Sequence, residues 1–311
     1  MSLPDEIRRI LDRLVIYPRR LSLQTPGIRA TVPMLRGVWG AALHDLDGRA
    51  YEAVFVGRGA PRERTPRYIL RPAPPDPADA PALEWILLHD MAAYDAILLR
   101  AWDVASGMGL GKERHRFHIR ATRPLGPGGE ALAPSREACG WPVSQARWPL
   151  PGDPARTPCR LTFPSPLRVL RRHVLIEQPA LPDLVVAALR RLGALLPTVQ
   201  QQALTALRPA LLGLARQASA RPWVGRQLDL VRYSARQQVD LELHGVAGYL
   251  DLPDGPGELW PLLAAAQWVH LGKGTVVGMG QLVVKPLPCL GQPVAHAALA
   301  EPTEGLGDLH R

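Results

Sequence analysis

The chain has 311 residues, 47% hydrophobic and 21% charged, a length that can bury two cores and a composition that excludes an intrinsically disordered polyelectrolyte. Lys and Arg number 37 against 28 Asp and Glu, a formal +9 at pH 7; that excess favours a polyanionic partner such as nucleic acid through counterion release, although solubility alone would account for it without any partner. Cys139, Cys159 and Cys289 stand apart with no CxxC pair, which excludes a disulfide framework and a cysteine-rich zinc site, and the charged opening MSLPDEIRRILDRL, with no bilayer-length apolar run, predicts a cytoplasmic protein with no membrane partner.

In chain order, Leu14 to Leu23 reads as a first strand and Pro33 to Leu46 (PMLRGVWGAALHDL) as a short helix with Pro near its start. Tyr51 to Val56 and Arg67 to Arg71 are strand-like runs around a Gly, Pro and Arg loop, predicting a hairpin. From Leu83 to Ala105 the apolar residues, among them Ile86, Leu87, Met91, Tyr94, Leu98 and Trp102, keep a helical period and predict one long helix. It ends at Gly107, Gly109 and Gly111, after which Arg114 to Ala121 alternates as a strand would.

A Pro and Gly rich stretch over 124–158 suits a linker, and the same plan then repeats. Arg160 to Phe163 reads as a strand, Leu184 to Leu196 and Gln200 to Ala218 as helices, the second interrupted near Pro209. Arg226 to Tyr233 and Val239 to Leu252 read as paired strands, Leu259 to Val269 as a helix, and Gln281 to Val284 as the closing strand. The predicted fold is α+β: two tandem ferredoxin-like, RRM-like βαββαβ domains at 1–123 and 159–285, with a tail at 286–311. Two such sheets packed together would leave a cleft, but the topology specifies no activity.

Between the last helix and strand lies HLGKGTVVGMGQLVV, His270 to Val284. Gly272, Gly274, Gly278 and Gly280 permit positive φ and close approach of backbone amides to a phosphate, and Lys273 adds charge. The spacing matches neither a Walker loop nor GxGxxG. A tight helix-to-strand turn with no ligand would use the same glycines.

The ordered set of motifs resembles the CRISPR repeat-processing endoribonucleases of the RAMP superfamily. LHGVAGYLDL followed by a helix and HLGKGTVVGMGQLVV is similar to the family's C-terminal signature. PMLRGVWGAALHDL resembles its first helix, TPRYILRPAPP its proline-rich strand end, GMGLGKERHRFHI its mid-chain glycine turn, and RLTFPSPLRV the start of its second domain. The likeness runs from about Leu14 to Val284, and Lys285 to Arg311 has no counterpart.

The resemblance implies a metal-independent endoribonuclease that binds CRISPR repeat RNA and cleaves precursor crRNA by attack of a 2′-hydroxyl, leaving a 2′,3′-cyclic phosphate and a 5′-hydroxyl. No cofactor is expected. Such chemistry needs proton transfer near neutral pH and stabilisation of phosphate charge. On the family's pattern His44, near the end of the first helix, is the candidate base or acid and Tyr51 positions the phosphate; a helix C-terminal contact and strand packing are their ordinary alternatives. Arg36, the glycine loop with Lys273, and Arg226, Arg232 and Arg236 in RQLDLVRYSARQQ are the candidate RNA contacts. His270 and His173 are further candidates to face RNA, His89 is placed on the surface of the long helix, and His115, His118 and His244 fall on sheet faces. The rival is a non-catalytic RAMP-type guide-RNA-binding subunit of a CRISPR effector complex, whose other subunits would then be partners.

Overall fold

The computed structural model describes residues 1–26, 30–56, 65–73, 82–135, 137–234 and 239–287, with backbone alone for 229–234 and 239–243. Arg236, Cys289 and the tail from 288 onward lie outside them.

Helix α1 (Leu3–Leu11) opens the chain. Its start is a capping box: the Ser2 amide donates to the Asp5 carboxylate at 3.3 Å, and the Asp5 amide donates back to Ser2 Oγ at 3.3 Å. The charges of this segment hide an apolar stripe, Ile7, Ile10 and Leu11, that is buried. Sequence reasoning missed it.

The first sheet has strands β1 (Val15–Gln24), β2 (Tyr68–Pro72), β3 (Ala82–Leu88) and β4 (His118–Pro124), with helices α2 (Val32–Leu46), α3 (Gly48–Tyr51) and α4 (Asp95–Met108) between them. Its order is β2-β3-β1-β4, and all pairings are antiparallel. The second sheet takes β6 (Cys159–Leu167), β9 (Val224–Ser234), β10 (Val239–Leu252) and β11 (Val283–Pro286) in the order β11-β6-β10-β9, again antiparallel. Numbered within each half, both are 4-1-3-2, the strand order of a ferredoxin-like βαββαβ unit. The predicted double ferredoxin-like α+β fold is therefore the fold observed.

Two assignments in the first half are corrected. Tyr51 to Val56 is not a strand but the end of α3 followed by a π turn at Glu52–Val56, so β2 has no hairpin partner there and pairs with β3. The single helix predicted over Leu83 to Ala105 is strand β3, a 3₁₀ turn (His89–Tyr94) and α4. The cause is burial on both faces of β3: Leu83, Trp85 and Leu87 point into one core and Ile86 and Leu88 into the other. A short continuous apolar run cannot be told from a buried helix by periodicity.

In the second half, β7 (Leu170–Arg171) and β8 (Val174–Leu175) form a small hairpin after β6. Helix α5 (Leu181–Leu195) is followed by α6 (Thr198–Ala206) and α7 (Arg208–Gln217), and the break falls at Leu207, beside Pro209. Helix α8 (Trp260–Val269) leads into the glycine-rich loop.

Helices α2 and α4 cover one face of the first sheet, where Trp39, Trp85 and Trp102 stack with centroids 4.9 to 5.8 Å apart. The opposite face, through Ile16, Ile69, Ile86 and Leu88, belongs to the apolar core of the second half, with Leu161, Phe163, Leu262 and Val269. The first sheet thus has no open face of the kind an RNA-recognition motif offers. Connecting segment 124–158 is packed into the same core through Leu125, Trp141, Val143 and Trp148, with β5 (Trp141–Pro142) paired to β1.

Buried charges brace the halves. Glu84 accepts from Arg20 and Arg71, each at 2.7 Å, while Arg71 Nη1 donates to the Gln267 carbonyl near the end of α8 at 2.6 Å, and its guanidinium lies 4.7 Å over Trp268. With both carboxylate oxygens engaged, the burial cost of Glu84 is offset.

Candidate nucleic-acid interface

Helix α2 places the first wall of the site. Thr31 Oγ1 accepts from the Met34 amide at 3.4 Å, Pro33 follows in the first turn, and Leu35, Val38, Trp39, Ala42 and Leu43 face the core. The Trp39 indole donates to the Leu98 carbonyl at 3.1 Å, fixing α2 on α4. Arg36 and His44 are left outside the fully buried stripe.

At the end of α2 the Asp47 carboxylate accepts from the Arg49 and Ala50 amides at 2.9 and 3.0 Å. The chain therefore restarts at once as α3 and returns Tyr51 to His44, with ring centroids 5.1 Å apart and planes at 86°. The His44 side chain is 65% exposed, and its nearest acid is Asp45 at 3.6 Å. His44 and Tyr51, far enough apart in sequence to need a turn between them, are brought together.

Beyond Tyr51 the rings continue inward. Phe55 stacks on Tyr51 at 5.4 Å and meets Tyr68 at 5.1 Å. Arg36 lies 5.1 Å over Phe55, and its Nε donates to the Tyr68 hydroxyl at 2.9 Å. Gly40 makes the room: a Cβ there would sit 3.2 Å from the Phe55 ring. Phe55 and Tyr68 were not named from the sequence. The i, i+4 spacing of Tyr51 and Phe55 was the available signal, visible only once the segment is read as helical.

The glycine-rich loop forms the second wall. Gly272, Gly274, Gly278 and Gly280 have φ of 75°, 80°, 86° and 71°, and a Cβ on Gly272 or Gly280 would collide with the carbonyl of Arg168 or Leu271. The loop is zipped to the end of β6: Lys273 N donates to Arg168 O at 3.0 Å, Gly280 N to Pro166 O at 2.9 Å, and Gln281 N to Ser165 Oγ at 2.9 Å. Val277 and Met279 amides turn back onto Gly274 O. Most loop amides are thus spent on the turn itself, and the expected open cradle shrinks to the tip, where Gly274, Thr275 and Val276 have amides without a partner among the described residues. Val276 lies in the same cleft as Arg36, and the Lys273 side chain is exposed.

Histidine environments differ from expectation. His270, with φ of 59°, is fully buried and shares a 2.9 Å hydrogen bond between Nδ1 and the Met279 carbonyl. Burial first, and then the Arg71 charge, push its pKa down to about 3, so it is a neutral strut and does not face RNA. His89 is not on the long helix: with φ of 53° it opens the 3₁₀ turn after β3, and its Nε2 lies 2.6 Å from the Leu195 carbonyl of the other half. His173 is exposed at the tip of the β7–β8 hairpin, where Arg172 and His173 both take positive φ.

Arg226 is exposed on β9 opposite Ala247 and does not line the cleft, and the Arg232 backbone pairs with Leu241. Among the described residues no group of three His, Cys, Asp or Glu side chains is placed to hold a metal ion, and no helix is long and apolar enough to cross a membrane.

Residues 161–282 match the model of the family described as CRISPR-associated endoribonuclease Cas6. No curated protein sequence matches the chain. Among solved structures, Cas6 of Thermus thermophilus is 16% identical, with 88% of this chain and 99% of that one covered and a TM-score of 0.55. A Cas6 solved as a product complex is 20% identical, covering 87% and 99%, with a TM-score of 0.54. At these identities the structural likeness establishes the fold, and the family's sequence signature is confined to residues 161–282 in the second half.

Proposed function

We propose that the chain is an endoribonuclease that binds CRISPR repeat RNA and cleaves precursor crRNA without metal. The observation that carries this reading is the exposed His44 held against Tyr51, whose ring stacks on Phe55 of a cleft that Arg36 and Val276 of the glycine-rich loop also line. In the proposed reaction His44 takes the proton of the 2′-hydroxyl next to the scissile phosphate. The 2′-oxygen bonds to phosphorus, the bond to the 5′-oxygen breaks, and that oxygen takes a proton from water and leaves as a 5′-hydroxyl, the other product ending in a 2′,3′-cyclic phosphate. Charge that builds on the phosphate is met by Tyr51, Arg36 and Lys273, with the amides of the loop tip. Arg226, Arg232 and Arg236 would hold the RNA farther from the cut, Arg236 lying outside the described residues.

The test uses repeat RNA and a copy with a 2′-deoxy substitution at the scissile nucleotide, both in EDTA. Cleavage of the first alone, and a fall of about 10²-fold or more for His44→Ala with binding retained, is expected. Cleavage of both RNAs would overturn the mechanism, full activity of His44→Ala would overturn the residue, and tight binding without any cleavage would favour the guide-RNA-binding subunit of an effector complex.

A further inference from the structure

The cleft beside the His44–Tyr51 pair has a volume of about 490 Å³, and the chemistry just described does not use most of it. Its walls come from both halves: the π turn with Phe55, the start of β2, the 3₁₀ turn with Met91 and Tyr94, and from the second half Ala194 and Val276. A space of this size, aromatic on its sides and with a few polar groups, suits a flat small-molecule-sized group.

Three features narrow what that group is. Phe55 already carries Tyr51 and Arg36, whereas Tyr94, half-buried and packed on one side against the apolar core, lines the cleft and pairs with no other ring among the described residues. At the rim, Arg67 Nη1 meets Asp90 Oδ1 at 2.7 Å with the side chains 53% and 62% exposed, which sets donors and acceptors side by side. Arg36 lines the cleft with only its Nε hydrogen-bonded among the described residues, and Val276 brings in the partnerless amides of the loop tip. A ring to stack on, mixed donors and acceptors for an edge, and cationic groups for a phosphate are together the requirements of an unstacked nucleotide.

We infer that this cleft takes one unpaired nucleobase of the bound RNA, neighbouring the scissile phosphate, which stacks on Tyr94 and presents its polar edge to Arg67 and Asp90. Arg36 and the loop tip hold that nucleotide's phosphate. The inference rests on the endoribonuclease reading and adds a point of base selection to it. A cleft of this size admits a single base that has left its stack, so the preference falls on one nucleotide position and not on the duplex as a whole.

The experiment measures Kd for repeat RNA made uncleavable by a 2′-deoxy substitution at the cut, intact or with one abasic nucleotide at each successive position around the cut. Wild-type protein is expected to lose about 5- to 150-fold at one position, the range for one stacked base. Tyr94→Ala should lose a similar factor on intact RNA and become indifferent to the abasic site at that position, while Tyr94→Phe, which keeps the ring, should behave as wild type. Abasic and Tyr94→Ala effects that multiply at every position would overturn the inference, as would a wild-type loss equal at all positions. Failure of wild-type protein to bind intact repeat RNA would instead sink the functional reading itself.

Discussion

Helices α2 and α8 each carry a histidine at the C-terminal end, and the two residues are opposites. His44 ends α2 exposed, with Tyr51 beside it and an acid no nearer than 3.6 Å. His270 ends α8 with no exposed surface, held neutral by burial and tied to the Met279 carbonyl. One wall is built to present side chains and the other to hold a backbone shape. Position at a helix end is the same; the environment assigns the role.

The largest effect should come from breaking the backbone wall. Gly280→Ala forces a Cβ toward the Leu271 carbonyl at a φ of 71°, and a loss of about 2 to 4 kcal/mol is expected, read as a lower urea midpoint with unchanged slope. Gly37→Ala, on α2 with open space around it, should instead raise that midpoint slightly, by the roughly 0.5 to 1 kcal/mol that alanine gains over glycine in a helix.

A smaller effect separates the histidines by pH. The folded-state pKa of His270, about 3, lies below its ordinary 6.5, so below pH 6.5 the unfolded chain binds a proton that the folded chain refuses. The contribution is complete above pH 6.5 and is lost as pH falls toward 3, amounting to about 2 kcal/mol between pH 7 and 5. His270→Asn should flatten this part of the urea-midpoint profile, whereas His44→Ala should leave it as in wild type. An identical slope in all three proteins would show that His270 does not stay neutral in the fold.

The smallest effect concerns Lys273, exposed on a loop whose shape does not depend on it. Lys273→Ala is expected to weaken RNA binding only a few-fold at moderate salt and to lower the salt dependence of log Kd by about 1, with no change in urea midpoint. A loss confined to one RNA sequence would assign Lys273 to base reading instead.

Much of the architecture is legible from residue pattern. Alternation in Arg226 to Tyr233 and Val239 to Leu252 marks β9 and β10, whose ends move by two residues at most, and Pro209 announces the break between α6 and α7. The first half reached its strand order with elements misplaced. Tyr51 to Val56 looked like a strand because its aromatic and β-branched residues favour one, yet the Asp47 cap and the contact with α2 wind it into helix and π turn. Leu83 to Leu88 looked helical because its polar Glu84 is buried too, paired to Arg20 and Arg71 from strands on either side.

Sequence alone determined the duplicated βαββαβ plan and the glycine positions, because backbone propensity and side-chain period are local properties carried by neighbours in the chain, while the His44 and Tyr51 candidates followed from the family resemblance. Only the tertiary structure decided that the second half covers the open face of the first sheet, that the glycine loop spends most of its amides on its own turn, and that Phe55, Tyr68 and Tyr94 line one cleft with Arg36 and Val276. Those facts depend on which surfaces meet and which lose water, and contacts between residues more than a hundred positions apart leave no period in the sequence to read.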